Sequence, residues 1–207
     1  MMRSPEDKHT AYGEADSLTF VDRLGVWLSA RRLRRNVGSF RGKRVGDIGC
    51  GYHATFARSI LPEVRSALLV DVSIAEDLKA DTRVCAVEGQ LPEALTSVAS
   101  ESLDVTLCIS VIEHLLEPLE TLVELRRITA PGGICLVNVP SWYGKRMLEL
   151  SAFRLGLSPL ESVDDHKIYY DPRDLWPLLV RAGFRPHNIR CHRHKLLLNT
   201  FAACRVD

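Results

Sequence analysis

The sequence predicts an α/β fold in which a mostly parallel sheet is covered by helices on both faces, and three observations carry that prediction. Short β-rich runs alternate with helical ones through the middle of the chain. The stretch KRVGDIGCGYHA, residues 43–54, reads as strand, glycine turn and helix start. Two final β-rich runs lie so close together that they must return antiparallel as a hairpin. Five runs in the alternating part and two in the hairpin make a seven-stranded sheet with an antiparallel last strand, the middle layer of a three-layer sandwich.

Taken in order, residues 1–15 are polar enough for a loose N-terminal arm, and residues 16–207 form one domain. From Ser17 to Arg35 the residues Leu18, Val21, Leu24, Val26, Leu28 and Leu33 keep a rough helical spacing, with Trp27 beside them. The end of this helix is basic: Arg31, Arg32, Arg34, Arg35, Arg41, Lys43 and Arg44 fall within 14 residues. Cations there favour the C-terminal helix dipole, and phosphate contact is the second reading. The five strands follow at Arg44–Ile48, Ala67–Asp71, Val84–Val87, Leu103–Ser110 and Ile134–Val139.

Helices are predicted between them at Ala54–Leu61, Ile74–Leu78, Glu93–Ala99 and Leu119–Thr129. Pro118 suits the start of the last of these, and Pro131, Gly132 and Gly133 follow its end. Ser141 to Tyr170 then interrupts the alternation. Asp171, Pro172 and Asp174 read as N-cap, first-turn proline and acidic third residue of a helix whose apolar stripe is Leu175, Leu178, Leu179 and Ala182, before Gly183. Asn188–His194 and Lys195–Cys204 are the strands of the hairpin.

Composition narrows the function classes. With 27 Lys and Arg against 26 Asp and Glu in 207 residues, the net charge of +1 gives no global argument for nucleic acid or an anionic membrane. The six cysteines are scattered and form no C-x-x-C pair, which predicts reduced, mostly buried thiols. No charged leader with an apolar core opens the sequence and no apolar run is long enough for a membrane span, so a cytoplasmic location is expected.

The glycine turn lets backbone amides approach an anionic or polar ligand, and Asp71, 20 residues after Gly51, is placed to accept hydrogen bonds from a ribose diol. Gly49, Gly51 and Ala54 also satisfy G-x-G-x-x-A, so a nicotinamide cofactor competes. None of the five tyrosines has a lysine four residues later, which argues against one common dehydrogenase class. Asp47, just before the glycines in DIGCG, can receive the ammonium of an amino-acid moiety or order water beside it.

On VGDIGCG, LLVDVS, LDVTLCISVIEHL, RRITAPGGICLVNVP and a final AGF before the strand pair, the chain resembles the class I S-adenosylmethionine-dependent methyltransferases over about residues 40 to 206. The resemblance implies a Rossmann-like fold and S-adenosylmethionine as cofactor. It implies that Asp47, Gly49, Cys50 and Gly51 line the methionine part, that Asp71 with Val72 binds the ribose, that Glu88, Gly89 and Gln90 lie at the adenine, and that Ser110 and Val111 stand beside the sulfonium. Gln90 stands where many relatives carry an acidic residue, and His53 where a third glycine is common. Glu113 and His114 are family-like, His114 either holding the loop or moving a proton.

The segment 141–170 is the individual part of the chain and the expected acceptor side. Trp142, Tyr143, Tyr169 and Tyr170 are the candidate acceptor-binding residues, and His166, oriented by Asp165, is the candidate base; Asp164 lies beside them. Packing of both tyrosines on the sheet and a loop-fastening role for Asp165 and His166 compete with that reading. His192 and His194 share one strand face but have no third ligand, so they read as surface residues, and no metal is expected. The expected activity is methyl transfer to an O, N or C atom of a small or sugar-linked acceptor. Nucleic acid is a less favoured acceptor, through the Arg31–Arg44 patch, and an NAD(P)-dependent oxidoreductase or a non-catalytic cofactor-binding module are the alternatives.

Overall fold

The computed structural model describes residues 20–147 and 167–207, with side chains of the first helix described at Gly25 and from Trp27 onward. The expected arm and most of the expected acceptor insertion, including Asp164, Asp165 and His166, lie outside the described residues. Helix α1 (Phe20–Val37) leads into strand β1 (Arg44–Ile48), and the chain then runs α2 (Thr55–Ile60), β2 (Ser66–Asp71), α3 (Glu76–Lys79), β3 (Val84–Glu88), β4 (Leu103–Ile109), α4 (Pro118–Ile128) and β5 (Thr129–Pro140). After the insertion come α5 (Pro172–Arg181), β6 (Ile189–His194) and β7 (Asn199–Arg205). The seven strands form one sheet in the order β3-β2-β1-β4-β5-β7-β6, in which β7 is antiparallel to both its neighbours. This is the expected Rossmann-like sandwich.

Alternation along the buried strands divides the core into two faces. Ile48, Val70, Cys108 and Val137 pack with Leu122, Leu125, Leu175 and Leu179 of α4 and α5. Val45, Leu69, Leu107, Leu136 and Phe201 pack on the other face with Leu33, Ala57 and Leu78 of α1, α2 and α3. Asp171 and Asp174 form the expected capping box at the start of α5.

Three elements differ from expectation, one being the last strand, which starts at Asn199 rather than Lys195 because residues 195–198 form the turn of the hairpin. Glu93–Ala99 does not make an α-helix; only Glu93–Leu95 form a 3-10 turn, a segment too short to offset the cost of helix nucleation. β5 begins directly at Thr129, and its Pro-Gly-Gly stretch is a bulge within the strand: Leu103 pairs with Thr129, but Val105 pairs with Ile134. A Cβ at Gly133 would lie 2.7 Å from the Ala130 carbonyl oxygen and 3.0 Å from that of Asp104, so the bulge needs glycine.

All six cysteines are free; Cys108, Cys135 and Cys204 are buried, Cys50 and Cys191 partly so, and Cys85 is exposed. The basic end of α1 is partly neutralised, Arg34 pairing with Glu63 at 3.1 Å and Arg44 with Asp104 at 2.7 Å. Among the described residues no helix is long and apolar enough to cross a membrane.

Candidate active site

The sheet order reverses direction between β1 and β4, and the carboxyl ends of these strands open the crevice in which such folds bind ligands. Gly49 and Gly51 both take left-handed conformations, φ 74° and 72°. A Cβ at Gly49 would collide with the Val111 side chain, so the turn after β1 and the loop after β4 close on each other across the crevice. The amides of Gly49 and Cys50 bond the Val70 carbonyl of β2 at 2.7 and 3.2 Å.

Asp71 at the end of β2 completes the turn. Its Oδ2 accepts from the Gly51 amide at 2.7 Å and its Oδ1 from the Val72 amide at 2.8 Å. Burial raises its pKa while these two amides draw it down. A carboxylate offers about four lone-pair sites, so two stay available to hydroxyl donors. Asp47 lies behind the turn at 6% exposure, and burial with the nearby Asp71 charge pushes its pKa to about 7. A cation arriving beside Asp47 would favour its ionised form.

Glu88 turns toward α3, accepting from the Ile74 amide at 2.7 Å and pairing with Lys79 at 2.8 Å. The Gly89 amide bonds the Asp71 carbonyl at 3.0 Å, and Gln90 is exposed. Cys50 is partly buried within the turn, and burial raises its thiol pKa. Ser110 directly follows β4 with φ 59°, a strained value for a non-glycine residue, and its amide donates to the Asn138 carbonyl at 2.7 Å.

Behind Val111, Glu113 is fully buried, and neither carboxylate oxygen has a hydrogen-bond partner among the described residues. Burial pushes it to about 8. Its backbone carbonyl accepts from Lys167 and Ile168 at 2.9 and 3.2 Å, which fastens the returning end of the insertion to the loop after β4.

Of the expected acceptor residues, Trp142 and Tyr143 are each 44% exposed, whereas Tyr169 and Tyr170 are buried at 4% and 2%. Tyr170 packs into the core beneath α5, and its amide donates to the Pro140 carbonyl. Trp142 Nε1 donates to Asp174 at 3.2 Å, and its ring lies 5.7 Å from that of Tyr169. His192 and His194 are not the surface residues expected: both are half-buried beneath α1 with their rings against Phe201. No cluster of His, Cys, Asp and Glu suited to a metal occurs among the described residues.

Sequence reasoning singled out Arg32 only as part of the basic patch and passed over Asn138 and Lys195. Asn138, a polar residue in the otherwise apolar run ICLVNVP, carried a visible signal: it is 1% exposed with both side-chain amide atoms unpartnered.

A family model described as a methyltransferase domain matches residues 26–189. The chain is 27% identical over 198 residues to a ubiquinone biosynthesis O-methyltransferase of Psychrobacter arcticus, covering 87% of this chain and 74% of that protein. It is 25% identical over 140 residues to an uncharacterised protein encoded in a transposon of Streptomyces fradiae, covering 61% of this chain and 40% of that protein. Among solved structures, a SAM-dependent methyltransferase from Archaeoglobus fulgidus superposes with a TM-score of 0.60 at 19% identity, over 86% of this chain and 93% of that one.

Proposed function

The chain belongs to the methyltransferase domain family, and from that premise we propose that it transfers the methyl group of S-adenosylmethionine to a nucleophilic atom of a small or sugar-linked acceptor. The observation that carries this reading is the turn Gly49–Gly51, closed by the Asp71 carboxylate over the buried Asp47. The residues present fit the cofactor. Gly49 and Gly51 hold the left-handed turn that exposes backbone after β1, and Asp47 is a buried acid poised to ionise beside a cation.

Bound there, the cofactor supplies a methyl already activated on its sulfonium, so the protein's task is alignment. Asp47 holds the ammonium of the methionine part, while the backbone of Gly49, Cys50 and Gly51 approaches it closely. Asp71 accepts the ribose hydroxyls with Val72 beside it. Gly89 and Gln90 flank the adenine, and Glu88 serves by fixing the turn after β2 through the Ile74 amide and Lys79. Ser110 and Val111 stand at the reacting centre, where the strained backbone of Ser110 is held by Asn138.

Oxygen is the acceptor atom that ranks first, because the relative from Psychrobacter arcticus is an O-methyltransferase. Trp142 and Tyr143 wall the acceptor side. Tyr169 supports Trp142 from beneath, and Tyr170 acts through packing. His166, with Asp165 the residue before it in the sequence, is the candidate base for the acceptor proton, a role suited to an imidazole near neutral pH.

Calorimetric titration with S-adenosylhomocysteine and with NAD tests the reading. Binding of the first alone is expected, and binding of NAD alone would replace the methyltransferase with a nicotinamide enzyme. A search for labelled product from methyl-labelled cofactor and a metabolite extract then separates enzyme from cofactor-binding module.

A further inference from the structure

Among the described side chains of helix α1, the inward positions include Gly25, the 8% exposed Ser29 and the half-buried Arg32 beside the buried Leu33, a more polar set than the apolar stripe a covering helix ordinarily presents. Beneath them, on β7 and β6, lie Phe201, His192 and His194. The Arg32 guanidinium sits 5.5 Å from the Phe201 ring centroid, and its Nε is buried without an acceptor. Lys195, in the turn between β6 and β7, brings its Nζ to 3.7 Å from where a Cβ on Gly25 would be.

Neither cation forms an ion pair with a described carboxylate, in contrast to Arg34 and Arg44, which have Glu63 and Asp104. The acid that acts on Lys195 is Glu113, whose carboxyl burial raises while Lys195 draws it down, and no ion pair joins the two. The histidines do not compensate either. Burial and the charge of Arg32 lower His192, and the same burial with Lys195 and Arg32 brings His194 to about 4, so both are neutral near pH 7. Their Nε2 atoms are buried and unpartnered.

A row of sheet pairings connects this cluster to the reacting centre. His192 pairs with Phe201, Phe201 with Asn138, and Asn138 with Ile109, the residue before Ser110. Asn138 lies on the α1 face with Leu136, and its buried amide has no partner on either atom. Gly25 and Leu28 of α1 meet Lys195 and His194, at the edge where the parallel strands end. Helical side chains lean toward the N-terminus of their helix, so Arg32 leans toward that same edge.

Two positive charges that no described carboxylate pairs, on the partly buried Arg32 and Lys195, lie beside the unpartnered amide of Asn138 and the unpartnered Nε2 atoms of the two histidines, a set that is costly to leave unsatisfied. We propose that the polar edge where α1 meets the β5-β7-β6 part of the sheet binds an anionic group of the acceptor, a carboxylate or a phosphate, with Arg32 and Lys195 as its cations. The proposal rests on the methyltransferase reading for the word acceptor, and it deepens that reading by assigning an acidic substrate class. Asn138 and the two histidines supply neutral hydrogen-bonding groups along the path from this anion to Ser110. The inward placement of both cations suits a small molecule better than a nucleic-acid backbone.

The carboxylate of the cofactor's own methionine shares this chemistry, so the test separates the two sources. The full chain is saturated with S-adenosylhomocysteine and titrated with benzoate, phenyl phosphate and neutral benzamide, for wild type, Arg32→Gln and Lys195→Gln. At least one anion is expected to bind the wild type about tenfold or more tightly than benzamide, and each variant to lose about tenfold in anion affinity. The affinity for S-adenosylhomocysteine should stay within about twofold throughout, because the cofactor is held elsewhere.

The proposal is overturned if neither anion binds better than benzamide, or if both folded variants bind the anions as well as wild type. It is also overturned if the variants lose S-adenosylhomocysteine in parallel and the anions are excluded by it, which would assign the cluster to the cofactor carboxylate. Should one variant fail to fold, the other decides, since they lie on different elements. If S-adenosylhomocysteine does not bind wild type at all, the methyltransferase reading fails, while the same anion titration on the ligand-free protein still judges the anion site.

Discussion

Asp71 Oδ2 accepts a hydrogen bond from the Gly51 amide at 2.7 Å, so the carboxylate at the end of β2 is itself a strut of the glycine turn. The companion bond from Val72 to Oδ1, at 2.8 Å, fixes the plane of the carboxylate. The residue proposed for the ribose thus also shapes the glycine turn, and the two roles draw on different lone pairs of one group.

Asp71→Ala is therefore expected to weaken S-adenosylhomocysteine binding by at least about tenfold and to lower stability by about 1–3 kcal/mol, because two amides lose a charged acceptor. Calorimetry and urea unfolding read the two effects separately. Unchanged affinity in a folded variant would remove Asp71 from the cofactor site.

Gly49 and Val111 make the second contact across the crevice. At φ 74° an alanine is strained, and its Cβ would strike the Val111 side chain. Gly49→Ala should cost about 2–4 kcal/mol and abolish cofactor binding. Adding Val111→Ala should recover part of the stability, since the clash is removed, but not the share due to the backbone. Strict additivity of the two changes in urea unfolding would show that the contact does not exist.

The sheet, its hairpin and the glycine turn were legible because each rests on local signals: β-rich runs, the spacing of Gly49, Gly51 and Asp71, and the capping pattern at Asp171. The surroundings of His192, Arg32 and Glu113 were not. Their burial is set by which element covers them, α1 over β6 in one case and the returning chain at Lys167 in the other, and such long-range covering leaves no periodic mark. The bulge at Gly132 and Gly133 was hidden for a related reason: Pro-Gly-Gly signals a break in a helix as well as an irregular strand.

Asp47 gives the cofactor site a pH dependence. Its pKa in the free protein is about 7, and an ammonium bound beside it selects the ionised form. Affinity for S-adenosylhomocysteine should therefore rise from pH 6 toward pH 8, by up to about tenfold per unit below the pKa, and level off above it. Asp47→Asn should bind weakly with a flat profile. A wild-type profile as flat as that of Asp47→Asn would mean that Asp47 does not meet the ammonium.

Glu113 should impress the opposite trend on stability. Its folded pKa, about 8, lies above the ordinary value of 4.5, so between these limits the native state holds a proton that the unfolded chain has released. Stability contributed by this group then falls as pH rises through that window, and the loss is complete above the folded pKa. Each unit of pKa difference corresponds to about 1.4 kcal/mol, which sets the effect at a few kcal/mol. Asp47 titrates over an overlapping range, so the comparison must be between wild type and Glu113→Gln in the same buffers. Urea unfolding should show the variant gaining about 2–4 kcal/mol relative to wild type between pH 5 and pH 8. Parallel stability curves would show that Glu113 is ionised in the folded protein and holds a partner.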